Sequence, residues 1–199
     1  MRISFVAKNW RHWIRRIAHA GPGGRIEVGA FTYGAPRILW WGDDASLSIG
    51  KYCSIADDVE IALGGNHRVD WVTTYPFPAL RGWREAKSIQ GHPTTRGNVI
   101  IRNDVWLGRG CTVLSGVTIG NGAVCGSRAI VTHDVPDYAI VAGNPAKIVK
   151  MRFDAETINR LVSLQWWNWD PSKIRRALPD LLSPDIQRFL QVYESSSDN

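Results

Sequence analysis

Cysteine is scarce and unpaired in this sequence. Only Cys53, Cys111 and Cys125 occur in 199 residues, an odd number with no C-x-x-C pair. That argues against a disulfide framework and a zinc knot, and it favours a reducing compartment. Long apolar runs are also missing. No stretch approaches the roughly 18 residues of a membrane span. Near the N-terminus, Ile3, Phe5, Val6 and Ala7 form a short apolar run that Lys8 and Arg11 soon interrupt. Such a run does not read as a secretory leader, so a cytoplasmic protein is expected. No two histidines share a short spacing on one strand face, so no metal site is expected. Lys and Arg are scattered rather than striped, and no nucleic-acid-binding motif occurs. The formal charge of +6 suits local basic clusters that meet a small phosphate-bearing anion.

What the sequence does have is a period of six. From Ile49 it reads IGKYCS, IADDVE, IALGGN; from Ile101 it reads IRNDVW, LGRGCT, VLSGVT, IGNGAV, CGSRAI, VTHDVP. The first place in each hexad is aliphatic, or Cys once. The fifth is Val, Cys or Ala, except in IALGGN, where the regularity breaks. The fifth residue of one hexad and the first of the next are two apart, so they point to the same face of a strand. Leu47/Ile49, Cys53/Ile55, Val59/Ile61, Val99/Ile101, Val105/Leu107, Cys111/Val113, Val117/Ile119, Ala123/Cys125 and Ala129/Val131 are the pairs that can share one interior. Gly, Asp, Asn, Lys and Arg separate them as turn and solvent residues. Gly50, Gly108, Gly120 and Gly126 follow the aliphatic place, at a backbone corner. The chain should make a short strand, bend and repeat, and stacked coils should bury the pairs in a continuous core. A period of six cannot keep one face of a 3.6-residue helix buried. The predicted class is an all-β solenoid. A weaker hexad begins at Val28, and the segment from Gly34 to Ala45, with Trp40 and Trp41, reads as an irregular, frayed first coil.

The pattern stops after Ile61 and resumes near Val99. The excursion, residues 64–97, is rich in Gly, Pro, Trp and His. Long departures from a rigid scaffold usually carry function. His67 follows Gly64-Gly65-Asn66 where the coil gives way to the loop. An imidazole there can act as a general base toward a hydroxyl. His92, beside Pro93 near the loop's other end, is the weaker candidate. His133 falls inside a hexad and should project outward. His12 and His19 lie in the N-terminal arm.

These hexads, the excursion GGNHRVDWVTTYPF (64–77), the segment NDVWLGRG (103–110), the ending VPDYAIVAGNPAKIVKMRF and the tail RFDAETINRLVSLQWWNWD (152–170) together resemble the left-handed β-helix acyltransferases. The closer resemblance is to their xenobiotic branch, which includes chloramphenicol and streptogramin A acetyltransferases. It covers about Ile49 to Asp170. The resemblance implies a left-handed coil, a homotrimer with active sites between subunits, and acetyl-CoA as co-substrate. His67 matches the family's catalytic histidine through its GGNH context. Arg109, Ser127, Thr132, His133, Lys147 and Lys150 match positions along the coenzyme A groove, with His133 standing where Lys is frequent. Trp106 matches a cleft aromatic. Asn66, Asp70, Trp71 and Tyr75, with Pro76 beside them, are candidates for acceptor contacts, because aromatics with a few polar groups suit a sugar or an antibiotic.

The expected organisation is an N-terminal basic arm (1–27), a β-helix domain (28–150) and a C-terminal helical segment (151–199). After Pro145 the pattern turns helical. Asp154, Asp170-Pro171 and Ser183-Pro184 read as helix starts. Ile186, Phe189, Leu190 and Tyr193 form a last apolar stripe, and the SSSDN end reads as disordered. In the arm, Trp10, Trp13, Ile14 and Ile17 share a helical face flanked by Arg11, Arg15 and Arg16. Packing against the protein is the favoured role, and weak contact of residues 8–18 with an anionic membrane surface is the alternative. The expected activity is O-acetylation of a saccharide or a small hydroxylated compound such as an antibiotic. A sugar-nucleotide N-acetyltransferase and a non-catalytic β-helix scaffold are the competing readings. The three cysteines fall at core places, which argues against a thiol nucleophile.

Overall fold

A computed structural model describes residues 25–41 and 44–194. Residues 1–24 of the basic arm and the SSSDN end lie outside the described residues. Contacts divide the chain into two units, one ending at Lys150 and the other beginning at Met151.

Among the described residues up to Met151, thirteen short strands follow the hexads. They are β1 (Ile26–Val28), β2 (Arg37–Leu39), β3 (Leu47–Ile49), β4 (Ser54–Ile55), β5 (Glu60–Ala62), β6 (Val99–Ile101), β7 (Trp106–Leu107), β8 (Thr112–Val113), β9 (Thr118–Ile119), β10 (Val124–Cys125), β11 (Ile130–Val131), β12 (Ala139–Gly143) and β13 (Ala146–Met151). They form three sheets, ordered β1-β3-β6-β9, β4-β7-β10-β12-β13 and β2-β5-β8-β11. From β3 to β11 the chain visits the three sheets in rotation, and β12 and β13 then both join the sheet of β4, β7 and β10. Strands stack in parallel register, so that Ile49 lies on Ile101 and Ile101 on Ile119. Ile55, Leu107, Cys125 and Val141 make a second column, and Ile61, Val113 and Val131 a third. Every inward pair named from the hexads is buried to 2% exposure or less. Each buried Val, Ile or Leu contributes roughly 1.5–3 kcal/mol relative to exposure.

The turns between strands use left-handed backbone at the fourth hexad place. Tyr52, Asp58, Asp104, Gly110, Gly116, Gly122 and Arg128 all have positive φ. The glycines after the aliphatic place answer a different demand. Gly50, Gly108 and Gly120 lack positive φ. A Cβ on Gly50 would stand 2.7 Å from the Arg102 carbonyl carbon, on Gly108 2.7 Å from the Ser127 nitrogen, and on Gly120 2.4 Å from the Asp137 nitrogen. The next coil's backbone passes too close for a side chain, so close approach selects these glycines.

The first coil is more regular than the sequence pattern indicates. Within Gly34–Ala45, β2 pairs in parallel with β5, matching Arg37 to Glu60 and Leu39 to Ala62. Tyr33 bridges Ser54. The apolar signal fails here because Thr32 takes an inward place. Its hydroxyl donates to the Gly50 carbonyl at 2.6 Å and accepts the Cys53 N–H at 2.9 Å. Both hydrogen-bonding roles are met, so a polar side chain is tolerated in the core.

A second correction concerns the stretch after Pro145. It does not turn helical at once, because residues 146–151 form strand β13. Ile148 and Val149 sit exposed between Lys147 and Lys150.

In the second unit α1 (Ala155–Leu164), α2 (Pro171–Leu181) and α3 (Ile186–Glu194) follow. Asp154 caps α1 by accepting the Thr157 N–H at 2.8 Å. Asp170 caps α2 by accepting the Ser172 N–H at 2.6 Å. The Thr157 backbone N–H holds the Asp154 carboxyl below its ordinary range, and the Ser172 side chain and then its backbone N–H do the same for Asp170. The third start is corrected by two residues: Asp185, not Ser183, accepts the Arg188 N–H, at 3.0 Å. The Ser183 hydroxyl accepts the Asp185 N–H instead. Trp169, Phe189 and Tyr193 cluster with ring centroids 5.1–6.1 Å apart. Among the described residues no helix is long and apolar enough to cross a membrane.

Candidate active site

The excursion leaves the stack after β5 and returns at β6. Neighbouring coils lie one strand spacing apart, so the two ends of the loop emerge side by side. They are joined there. Asn66 and Thr94 exchange backbone hydrogen bonds of 2.9 and 3.0 Å. The Asn66 amide donates to the Ser115 hydroxyl at 2.9 Å, and the Thr95 hydroxyl to the Leu63 carbonyl at 2.6 Å. The mouth of the loop is thus anchored to rigid coils. Gly65 carries φ +78°, and the Trp41 ring lies over it; a Cβ there would meet that ring at 2.6 Å.

His67 follows two residues on and is exposed. Its Nδ1 lies 2.7 Å from the Thr74 carbonyl oxygen. A carbonyl only accepts, so Nδ1 carries the hydrogen. The Nε2 lone pair is left on the open side of the ring, where a base needs it. The opposing loop end brings His92 against it. The two ring centroids are 4.7 Å apart, with planes at 79°. Trp71 stands 6.3 Å from His92, and the Arg68 guanidinium lies 5.1 Å from the Trp71 ring. Arg68 also grips Asp70, its Nε donating to Oδ1 at 2.7 Å. That hydrogen bond holds the exposed Asp70 carboxyl down at about 2. Tyr75 is exposed and packs edge-on against Phe77 at 4.7 Å.

The structure therefore gathers His67, Asn66 and Trp71 around the loop mouth, with Asp70 tied to Arg68 nearby. Asn66 spends an amide donor on Ser115 and serves as an anchor. Trp106 stands apart on β7, facing outward and 54% exposed. The residues expected along a coenzyme A groove occupy the later coils. Ser127 is exposed just after β10, and the Arg128 N–H donates to the Arg109 carbonyl at 2.9 Å, placing Arg109 one coil before it. The Arg109 guanidinium pairs with Asp58 at 3.0 Å, both ends exposed. The Thr132 hydroxyl and His133 Nδ1 are 2.8 Å apart. Lys147 and Lys150 are exposed on β13, which borders β12 in the sheet that also holds β10. Among the described residues, no group of three or more His, Cys, Asp or Glu is placed to hold a metal ion.

Two residues gain contacts here that the hexad pattern does not indicate. Trp41, in the expected frayed coil, covers Gly65. His92, the weaker candidate for the base, packs on His67. A signal existed for the second: ends of an insertion between consecutive coils must meet, so residues flanking those ends become neighbours.

No protein-family profile matches the chain. It is 44% identical over 146 residues to a chloramphenicol acetyltransferase of Klebsiella aerogenes, covering 72% of this chain and 70% of that protein. It is 42% identical over 130 residues to a probable macrolide acetyltransferase of Lysinibacillus sphaericus, covering 64% and 72%. Among solved structures, it resembles a hexapeptide-repeat-containing acetyltransferase of Vibrio cholerae complexed with acetyl coenzyme A. The TM-score is 0.51 at 25% identity, over 66% of this chain and 63% of that one, under two thirds of its length. With a stacked hexapeptide core, a histidine-bearing excursion and relatives of this kind over seven-tenths of their length, the chain belongs to the hexapeptide-repeat acetyltransferases, in their xenobiotic branch.

Proposed function

We propose that this acetyltransferase moves the acetyl group of acetyl-CoA to a hydroxyl of a small acceptor, an antibiotic or a saccharide, with His67 as general base. The observation that carries the reading is the hydrogen bond from His67 Nδ1 to the Thr74 carbonyl. It commits the ring to the tautomer whose Nε2 can take a proton. In the proposed reaction Nε2 removes the acceptor's hydroxyl proton as the oxygen attacks the thioester carbonyl. A tetrahedral oxyanion forms and collapses, the carbon–sulfur bond breaks, and the imidazolium returns its proton to the departing coenzyme A thiolate. No covalent acyl-enzyme is needed. Base catalysis of this kind contributes roughly 10²–10⁴ in rate, and the stiff coils hold the reactants in line.

Several finer features belong to the same reading. The coil is left-handed, as in the family. Three copies assemble, with each reaction centre in a cleft between subunits. Arg109, Ser127, Thr132, His133, Lys147 and Lys150 line the coenzyme A groove, and their positive members meet its phosphates. Trp71, Tyr75 and Trp106 offer apolar faces to the acceptor, and Asn66 and Asp70 polar contacts. The protein works in the cytoplasm as a β-helix domain (28–150) with an N-terminal arm and a C-terminal helical segment. Packing on the protein is the favoured role of the arm, and weak contact of residues 8–18 with an anionic membrane surface is the alternative.

The test is a thiol-release assay with acetyl-CoA. The acceptor panel contains chloramphenicol, a macrolide, a streptogramin A and simple saccharides. Wild-type protein is expected to release coenzyme A with at least one acceptor, and His67→Ala to release it at no more than a hundredth of that rate. Equal release by both proteins would sink the assignment of the base.

A further inference from the structure

The His67 ring is held by little that is polar. One hydrogen bond, from Nδ1 to the Thr74 carbonyl, is its one polar contact among the described residues, and the ring is exposed. A histidine tethered at one nitrogen can still swing about that tether. The other restraint is His92. That ring is only 9% exposed and stands edge-to-face against His67 at 4.7 Å and 79°.

His92 is an unusual wall. Among the described residues neither Nδ1 nor Nε2 has a hydrogen-bond partner, although both atoms are buried. Buried polar atoms without partners are destabilising and call for an explanation. The ring is fixed by its surroundings instead. Two residues on, Thr94 is locked to Asn66 by the pair of backbone hydrogen bonds, and Trp71 lies on another side at 6.3 Å. The segment that carries His92 is thus bound to the segment that carries His67, one residue from it. Both nitrogens are closed to solvent, so they are not placed to meet an acceptor. What His92 offers is the face and edge of an aromatic ring.

We propose that His92 is a positioning residue for acetyl transfer: its buried ring holds the His67 imidazole in the one orientation that keeps Nδ1–H on Thr74 and presents Nε2 to the acceptor. This rests on His67 being the base. An edge-to-face aromatic pair has a preferred geometry beyond mere contact, so a side chain of similar bulk without a ring should not replace it. The reacting groups gain only when the base is oriented before the acceptor arrives. The effect should therefore fall on kcat and leave KM alone.

Three substitutions separate the possibilities: His92→Phe, His92→Leu and His92→Ala, assayed beside His67→Ala with the best acceptor of the panel. Folding is checked by thermal melting and circular dichroism. His92→Phe keeps the ring and drops the orphaned nitrogens, so it should melt higher than wild type and keep kcat within about threefold. His92→Leu should fold yet lose on the order of tenfold in kcat, with KM for both substrates within twofold, and His92→Ala at least as much. A second readout needs no acceptor. In ¹⁵N-resolved imidazole spectra, His67 should stay protonated at Nδ1 in wild type and His92→Phe, and become a mixture of tautomers in His92→Leu. Wild-type kcat and an unchanged His67 spectrum in His92→Leu would overturn the proposal. So would a His92→Phe protein as slow as His92→Leu, because the nitrogens would then be what counts. If His67→Ala itself keeps the wild-type rate, the base assignment fails first, and the spectra still decide whether His92 orients that ring.

Discussion

Asn121 lies one coil beyond Asn103 and serves it twice: its Oδ1 accepts the Asn103 backbone N–H at 3.2 Å and the Asn103 side-chain amide at 3.0 Å. Asn103 in turn accepts the Lys51 N–H at 2.9 Å, and Asp137 accepts the Asn121 N–H at 2.5 Å. A column of carboxamides ending in a carboxylate thus satisfies one corner of the solenoid, coil by coil. Asn121 is 6% exposed, so water cannot readily replace it. Asn121→Ala should cost about 1–3 kcal/mol by leaving buried donors unmet. Asn121→Asp keeps the acceptor but opposes the Asp137 carboxylate, and should also destabilise. Denaturant melts of the two variants check both signs, and an unchanged midpoint for Asn121→Ala would show that the column is ornamental.

Coil spacing makes a second prediction that contrasts two glycines of the same hexad place. A Cβ at position 120 would stand 2.4 Å from the Asp137 backbone nitrogen, whereas at 126 its nearest neighbour is the Ala142 Cβ at 3.2 Å. Backbone cannot yield as a side chain can. Gly120→Ala should lose more than about 2 kcal/mol, as overpacking in a tight core does. Gly126→Ala should stay within about 1 kcal/mol of wild type. Unfolding titrations of the two proteins side by side provide the check, and equal losses would count against the steric account.

Trp41 and Gly65 supply a test close to the loop mouth. Gly65 combines φ +78° with a tryptophan ring on its open side. Gly65→Ala meets two obstacles, a strained left-handed backbone of roughly 1–2 kcal/mol and the Trp41 ring. His67 is two residues further on, so the disturbance should reach the base and lower kcat by tenfold or more, since small misplacements weigh heavily on rate. Trp41→Ala in the same chain removes the clash and leaves the backbone strain. The double variant should therefore recover part of the loss. Full recovery would assign the whole effect to the clash, and no recovery would assign it to the backbone.

How far the sequence could be read follows from the same residues. The hexads were legible because a solenoid repeats its burial every six residues, and Leu107 or Val113 announces the same inward place each time. The first coil was not, since Thr32 satisfies its polar atom on Gly50 and Cys53 and so hides the inward place behind a polar letter. The GGNH segment marked His67 as the residue at the junction of coil and loop. It could not show the Thr74 carbonyl, a backbone atom with no letter of its own. His92 could be reached only through the rule that the ends of an insertion meet, and it stands by His67 where the Asn66–Thr94 bridge closes the loop. Contacts made by loop closure leave no period to read, whereas contacts made by stacking do.

The three cysteines give the last test, which bears on the mechanism. All are buried. Burial pushes the Cys53 thiol up to about 11. The neighbouring Cys111 thiol, together with burial, drives Cys125 upward as well. At pH 8 the Cys53 thiol is almost wholly un-ionised, and the thiolate is the reactive form. Folded protein should therefore fail to react with Ellman's reagent over minutes, whereas denatured protein should yield three thiols per chain, the number in the sequence. The same shift has a sign for stability. A thiol that binds its proton more tightly when folded stabilises the fold fully below its unfolded value near 8.5. That contribution fades as pH rises toward about 11. Denaturation midpoints should thus fall between pH 8.5 and 11, and fall less steeply in Cys53→Ala. Kinetics complete the argument. With all three thiols buried, acetyl transfer should show intersecting double-reciprocal plots for acetyl-CoA and acceptor, the pattern of a ternary complex. Parallel lines, or an acetylated cysteine trapped by rapid quench, would mean that a buried thiol is exposed during turnover, and direct attack assisted by His67 would have to be abandoned.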